Sequence, residues 1–174
     1  MIMTPHLRNF TLIAHIVFSV GWIGAIAAYL VLDIAVVISK NDQTLRAAYI
    51  AMDLIISSAI VPLAFASLLT GLVVSLGTKW GLFRNYWVIA KLLLTVFATI
   101  ILLIETQTIS YMANIAADPT TSSDDLVALG STLVHSIGGL VVLLLTMILS
   151  VYKPRGMTRY GWRKQQEQRK VSQL

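Results

Sequence analysis

The chain contains no cysteine, which excludes disulfides, thiolate metal sites and thiol chemistry and leaves the redox compartment open. It is also short of charge. Only 12% of its 174 residues are Asp, Glu, Lys or Arg, where a soluble domain carries about 25%. No Gly-rich phosphate-binding loop and no nucleophile–base arrangement is visible, so hydrolysis and nucleotide chemistry have no basis here. Alternating-polarity strands of about ten residues, the signature of a membrane barrel, are missing as well.

What the chain has in quantity is apolar length. Hydrophobic residues make up 57% of it and the mean hydropathy is +0.79. Four segments, Asn9–Ser39, Ala47–Thr78, Asn85–Ala117 and Leu126–Tyr152, each exceed the roughly 20 residues that cross ~30 Å of hydrocarbon as a helix. The expected fold is all-α: a four-helix transmembrane bundle over residues 1–152, followed by a basic tail over 153–174. Short connections favour antiparallel neighbours.

Positive charge sets the expected orientation. The tail carries Lys153, Arg155, Arg159, Arg163, Lys164, Arg169 and Lys170, seven of the 13 basic residues. Lys79, Arg84 and Arg8 fall on the same side, with Trp80, Tyr86, Trp87, Tyr152, Tyr160 and Trp162 as an aromatic belt. Lys40, Arg46 and the acidic loop Asp118–Asp125 fall on the other. The positive-inside rule then puts both termini of this multi-pass membrane protein in the cytoplasm. The partners expected are the lipid bilayer, anionic headgroups for the tail, and a membrane-protein partner or a second copy. Nucleic acid is not among them, because no reader motif accompanies the basic tail.

Helical spacing gives each span one small or polar stripe. These are His15, Ser19, Trp22, Ile26, Tyr29 and Asp33 in the first, and Asp53, Ser57, Ala64, Ser67, Gly71 and Ser75 in the second. The third offers Lys91, Thr95, Ala98, Leu102 and Glu105, and the fourth Ser131, His135, Gly138, Gly139, Val142 and Thr146. Pro62 should kink the second span or free a carbonyl.

Six ionisable residues lie within the spans, where a charge costs at least ~2.5–3.5 kcal/mol and often marks function. Helical rise places Asp33 and Asp53 roughly 14 Å, and Glu105 and His135 roughly 6–7 Å, toward the outside. This outer group takes one residue from each helix. Its carboxylates and imidazole suit a divalent cation such as zinc, manganese or iron. Alternatively, Glu105 and His135, expected as partners, relay protons, or these residues only orient helices in an accessory or structural subunit. His15 and Lys91 lie roughly 13 Å toward the cytoplasm. A histidine one turn inside a membrane helix can ligate haem, with Trp22 lining the pocket, whereas Lys91 alone reads as a snorkelling side chain.

Over nearly its whole length the sequence resembles a group of uncharacterised bacterial integral-membrane proteins that share a domain of unknown function. The likeness runs through Ser19–Ala25, Leu68–Leu72, Ser75–Arg84 and Val151–Gly156. A second, weaker resemblance is to the membrane-embedded protoporphyrinogen oxidases of haem synthesis. It is carried by His15, Trp22, Gly24, Trp87, Lys91 and Leu92. That resemblance implies a b-type haem on His15, with Lys91 contacting cofactor or substrate. Glu105 stands where histidine is expected in closer relatives. The expected function is therefore cofactor binding through His15, Trp22 and Lys91. The alternatives are a cation or proton site at Asp33, Asp53, Glu105 and His135, or an accessory subunit. Enzymatic activity is not expected to follow from these residues alone.

Overall fold

A computed structural model describes residues 3–78 and 81–171. Lys79 and Trp80, used in the orientation argument, and the last three residues of the tail lie outside the described residues. Six helices follow in order: α1 Pro5–Ile38, α2 Asp42–Gly77, α3 Tyr86–Ala117, α4 Ser123–Ala128, α5 Leu133–Tyr152 and α6 Arg159–Val171. Four helical segments, Pro5–Ile38, Asp42–Gly77, Tyr86–Ala117 and Ser123–Tyr152, are long and apolar enough to cross a membrane. They mark the chain as an all-helical membrane protein.

The spans form a ring in which α1 packs on α2, α2 on α3, α3 on α5, and α5 closes on α1. Hydrogen bonds at both ends fix the up–down order. At one end Met3 N–H reaches the Gly77 carbonyl (3.2 Å) and Tyr86 N–H the Gly156 carbonyl (3.3 Å). At the other, Arg46 of α2 donates to the carbonyls of Ala116 (2.8 Å), Asp118 (2.6 Å) and Thr121 (2.6 Å). These carbonyls end α3 and begin the following loop, so the guanidinium fork satisfies orphan acceptors at the negative end of a helix dipole.

Two local features break helix regularity, and both bear on the site. Pro62 has no N–H for the carbonyl one turn earlier. The chain meets this with a π turn over Ile56–Ile60, closed by Val61 N–H on the Ile56 carbonyl. That extra residue shifts the two halves of α2 by about 100° relative to each other. Ile56, Ile60, Ala64 and Ser67 consequently face inward, and Ser57, expected on the inner stripe, is exposed and hydrogen-bonds the Asp53 carbonyl (2.7 Å).

The second break corrects the fourth span. The expected continuous helix from Leu126 is interrupted at 129–132, where Gly130 takes φ +75°. A residue with a Cβ is strained there. Thr132, Ser136 and Leu143 are buried, His135, Gly138, Gly139 and Val142 of the expected stripe line the space between the spans, and Ser131 is exposed.

The core concentrates at the Arg46 end, around Leu45, Tyr49, Met52, Ile109 and Leu126. Large apolar side chains such as Phe10, Val31, Leu93 and Ile104 cover the outer surface, as lipid contact requires. The tail is itself structured. Thr158 N–H bonds the Arg84 carbonyl (3.0 Å), its hydroxyl bonds the Phe83 carbonyl (2.6 Å), and Gly161 N–H caps back onto that hydroxyl (3.0 Å). Helix α6 is thereby pinned to the α2–α3 loop.

Candidate functional site

The six ionisable residues separate into local arrangements. Asp33 is fully buried and accepts three hydrogen bonds: from Thr132 N–H (3.0 Å), Thr132 Oγ1 (3.0 Å) and Ser136 Oγ (2.8 Å). Because the Thr132 hydroxyl proton goes to Asp33, the Tyr29 hydroxyl at 2.9 Å must be the donor to Thr132. Asp33 of α1 thus caps the N-terminus of α5 from across the bundle, where an acidic group complements the helix dipole. Asp53 accepts from Ser110 Oγ (2.5 Å) and belongs to the α2–α3 contact.

Glu105 and His135 meet as expected, with Oε1 and Nδ1 at 3.1 Å. They do so apart from the other two carboxylates. The four-residue metal site is therefore not assembled: among the described residues, no group of three or more His, Cys, Asp or Glu is placed to hold a metal ion. The physical reason is that hydroxyl and amide donors of neighbouring helices engage Asp33 and Asp53 individually, which holds their side chains in separate joints.

The inner residues also divide. His15 Nδ1 lies 3.1 Å from the Ser67 carbonyl and 3.2 Å from Thr70 Oγ1. A carbonyl only accepts, so Nδ1 carries the proton. The imidazole lies against Gly71, where an added Cβ would come within 3.0 Å of Cε1. Ser19 and Ser67 (2.8 Å) extend the same α1–α2 joint. Lys91 sits 6.0 Å from the Trp87 ring centroid, on α3, and near enough to His15 for their charges to interact. Trp22 points elsewhere, into the bundle centre. The cavity that Trp22 lines includes neither His15 nor Lys91. His15 works as a hydrogen-bonded tether between helices.

Trp22 leads to the feature that sequence reasoning missed. A cavity of about 260 Å³ lies between α1, α2, α3 and α5. Its wall is mostly apolar, with Ile26, Ile56, Ile60, Leu102 and Val142 among the lining residues and Gly138 and Gly139 leaving room where side chains would project. The π turn delivers Ile56 and Ile60 to this wall. Its polar members are Trp22, Tyr29, Glu105, Thr132, His135 and Ser136. Phe97 (58% exposed), Val134 (82%) and the His135 side chain (54%) are lining residues that also reach the outer surface.

Two of the polar groups are incomplete. Trp22 Nε1 and Glu105 Oε2 are buried without hydrogen-bond partners among the described residues. Leaving a buried donor or acceptor unmet costs about 1–3 kcal/mol each, and the loss is felt fully where water is scarce. Both atoms belong to residues of the cavity lining, though the atoms themselves are closed to a water-sized molecule; the enclosure they border is apolar with a few polar members, as ligand sites are. Thr132 and Ser136 were foreshadowed only by the small polar residues that precede the apolar run of α5, a pattern that suits a helix start.

Comparison with protein-family models, with curated proteins and with solved structures finds no match for this chain. Fold and site thus define an all-helical protein with four helical segments long and apolar enough to cross a membrane and a cavity between them.

Proposed function

We propose that this protein resides in the bacterial cytoplasmic membrane with both ends in the cytoplasm, and that it holds a small molecule in its interior and exchanges a proton with it through Glu105 and His135. The orientation is supported by the basic residues of the tail and of the 83–85 loop, which lie at one end of the bundle. The carrying observation is the 3.1 Å contact between Glu105 and His135 on the cavity wall, with the second carboxyl oxygen unpaired. The contact joins a carboxyl group and an imidazole directly, the pairing through which general acid–base groups pass a proton. A proton can therefore pass between the two groups and onward to a bound molecule.

Support for the other readings is thinner. The Nδ1–H bond to the Ser67 carbonyl leaves Nε2 as the lone-pair nitrogen of His15, as haem ligation requires, but the cavity between the spans does not include His15. A purely structural subunit leaves the unmet Trp22 and Glu105 atoms without a purpose.

Infrared difference spectra of the lipid-reconstituted protein, taken on stepping pH through the histidine range, test the proposal. A carboxyl protonation band is expected that is absent in Glu105→Gln and displaced in His135→Gln. Wild-type spectra that match those of Glu105→Gln would refute it.

A further inference from the structure

The basic tail, which plays no part at the cavity, is tied to the ends of the spans by its backbone. Residues 156–158 run beside 84–86: Tyr86 N–H bonds the Gly156 carbonyl (3.3 Å), and Thr158 N–H the Arg84 carbonyl (3.0 Å). Tyr86 opens α3, and α5 ends at Tyr152, shortly before this junction. The 20 residues of α5 rise about 30 Å, the thickness of the hydrocarbon, so the junction stands at the level of the headgroups. Tyr86, Tyr152, Tyr160 and Trp162 are exposed at this end, as aromatic side chains are at a membrane interface.

The first turns of α6 cannot leave that level. At 1.5 Å per residue, Arg159 lies within about 2 Å and Arg163 within about 8 Å of Thr158 along the axis, whichever way α6 points. Arg155 sits just before the anchor. All three therefore stay within about a Debye length of the headgroups at physiological salt. They are exposed, and they make no hydrogen bond or ion pair among the described residues. The only acid of the helix, Glu167, is engaged by Lys164 (3.1 Å). Gly161 lies against the Arg84 backbone, and Gln168 accepts from the Arg84 guanidinium (3.2 Å). Helical spacing then puts Arg159, Arg163, Gln166 and Lys170 on the opposite, free face, with Tyr160 and Trp162 on its two flanks.

We infer that α6 is an interfacial lipid-binding helix, in which Arg159 and Arg163, with Arg155 of the preceding link, hold the phosphate groups of anionic phospholipids in the leaflet at this end of the bundle. A headgroup layer offers fixed negative charge beside apolar chains, which matches a cationic stripe flanked by aromatic rings. A soluble polyanion offers the charge alone.

The chain has no cysteine, so a spin label on Gln166→Cys reports on this face by itself. The labelled full-length protein is placed in nanodiscs of phosphatidylcholine and of phosphatidylcholine mixed with phosphatidylglycerol. Collision of the label with a neutral, water-soluble nickel chelate is then measured by power saturation. Each near-surface cation is worth about fivefold in affinity for an anionic surface, so three together favour the docked helix by about a hundredfold. Nickel accessibility should accordingly fall severalfold with phosphatidylglycerol and recover in ~1 M salt, where the Debye length is about 3 Å. Replacing Arg155, Arg159 and Arg163 together by Gln, which forms helix about as well as Arg, should abolish the fall. Equal accessibility in the two nanodiscs would overturn the inference, as would a fall that survives in the triple variant. So would an oligonucleotide that, added to the phosphatidylcholine nanodiscs, lowers accessibility as much as phosphatidylglycerol does, since the stripe would then serve soluble polyanions. The comparison of the two lipids decides the matter even where the triple variant does not fold.

Discussion

Replacing Asp33 with alanine should destabilise the bundle by about 3–5 kcal/mol, and the sum can be followed bond by bond. The Thr132 amide at the head of α5 is buried, and Asp33 is the acceptor it uses. Leaving it unmet costs about 1–3 kcal/mol. The Thr132 hydroxyl can turn toward Tyr29, and the Ser136 hydroxyl retains the Leu133 carbonyl at 3.1 Å, so these two lose only about 1 kcal/mol each. Together these losses make up the about 3–5 kcal/mol, and the small void left behind adds little. Asp33→Asn should cost about 1–2 kcal/mol, since the amide oxygen still accepts from the Thr132 N–H while the hydroxyls rotate to accept from the NH₂ group. SDS titration of detergent-solubilised protein, followed by far-UV circular dichroism, measures both. Hydrogen exchange should rise first at residues 129–136, the segment Asp33 anchors. An alanine variant within about 1 kcal/mol of wild type would refute the reasoning, as would an asparagine variant as unstable as the alanine one.

Other outcomes follow from the same contacts. Arg46→Ala should cost about 2–4 kcal/mol in the same titration, and Arg46→Lys should restore less than half, because one ammonium cannot span the carbonyls of Ala116, Asp118 and Thr121. Any side chain at Gly161 meets the Arg84 backbone, so Gly161→Val should release and fray α6 and speed trypsin cleavage at Arg159 and Arg163, which are exposed but held in a helix, with the four spans left intact. At Asp118, hydrogen bonds from the Thr120 amide and then its hydroxyl, aided by Arg46, hold the carboxyl below its ordinary value against a small desolvation effect. A depressed folded-state pKa means that the loop's stabilisation is present above the usual aspartate range and fades as pH falls through the lowered value. Exchange of the Thr120 amide should accelerate over that acidic interval in wild type and be pH-insensitive, beyond intrinsic chemistry, in Asp118→Asn. Finally, protein expressed with ample haem should show no Soret band; a band lost in His15→Ala would reinstate haem ligation over the tether role.

Much of the architecture is a local property of the chain. Burying a peptide backbone in hydrocarbon demands internal hydrogen bonds, so long apolar runs dictate membrane helices wherever they occur. The four spans could therefore be read directly, as could the inward face of α1, where uninterrupted 3.6-residue periodicity carries Trp22, Ile26, Tyr29 and Asp33 to the interior. Matching depth on adjacent spans likewise foretold the meeting of Glu105 and His135.

Tertiary structure decided the rest, because it depends on phase and on competition between partners. One extra residue in the π turn rotates half of α2 and changes which side chains face the centre, and one break at Gly130 interrupts the fourth span. Asp33 and Asp53 were equal candidates in sequence for a shared cation. In space Thr132, Ser136 and Ser110 claim them first, since a nearby hydroxyl or amide satisfies a carboxyl oxygen without gathering four helices around one ion. What stays unclaimed is Trp22 Nε1 and Glu105 Oε2, beside space that no linear pattern encodes. Long apolar runs made four helices able to cross a membrane; the packing of those helices made the cavity between them and brought Glu105 to His135 on its wall.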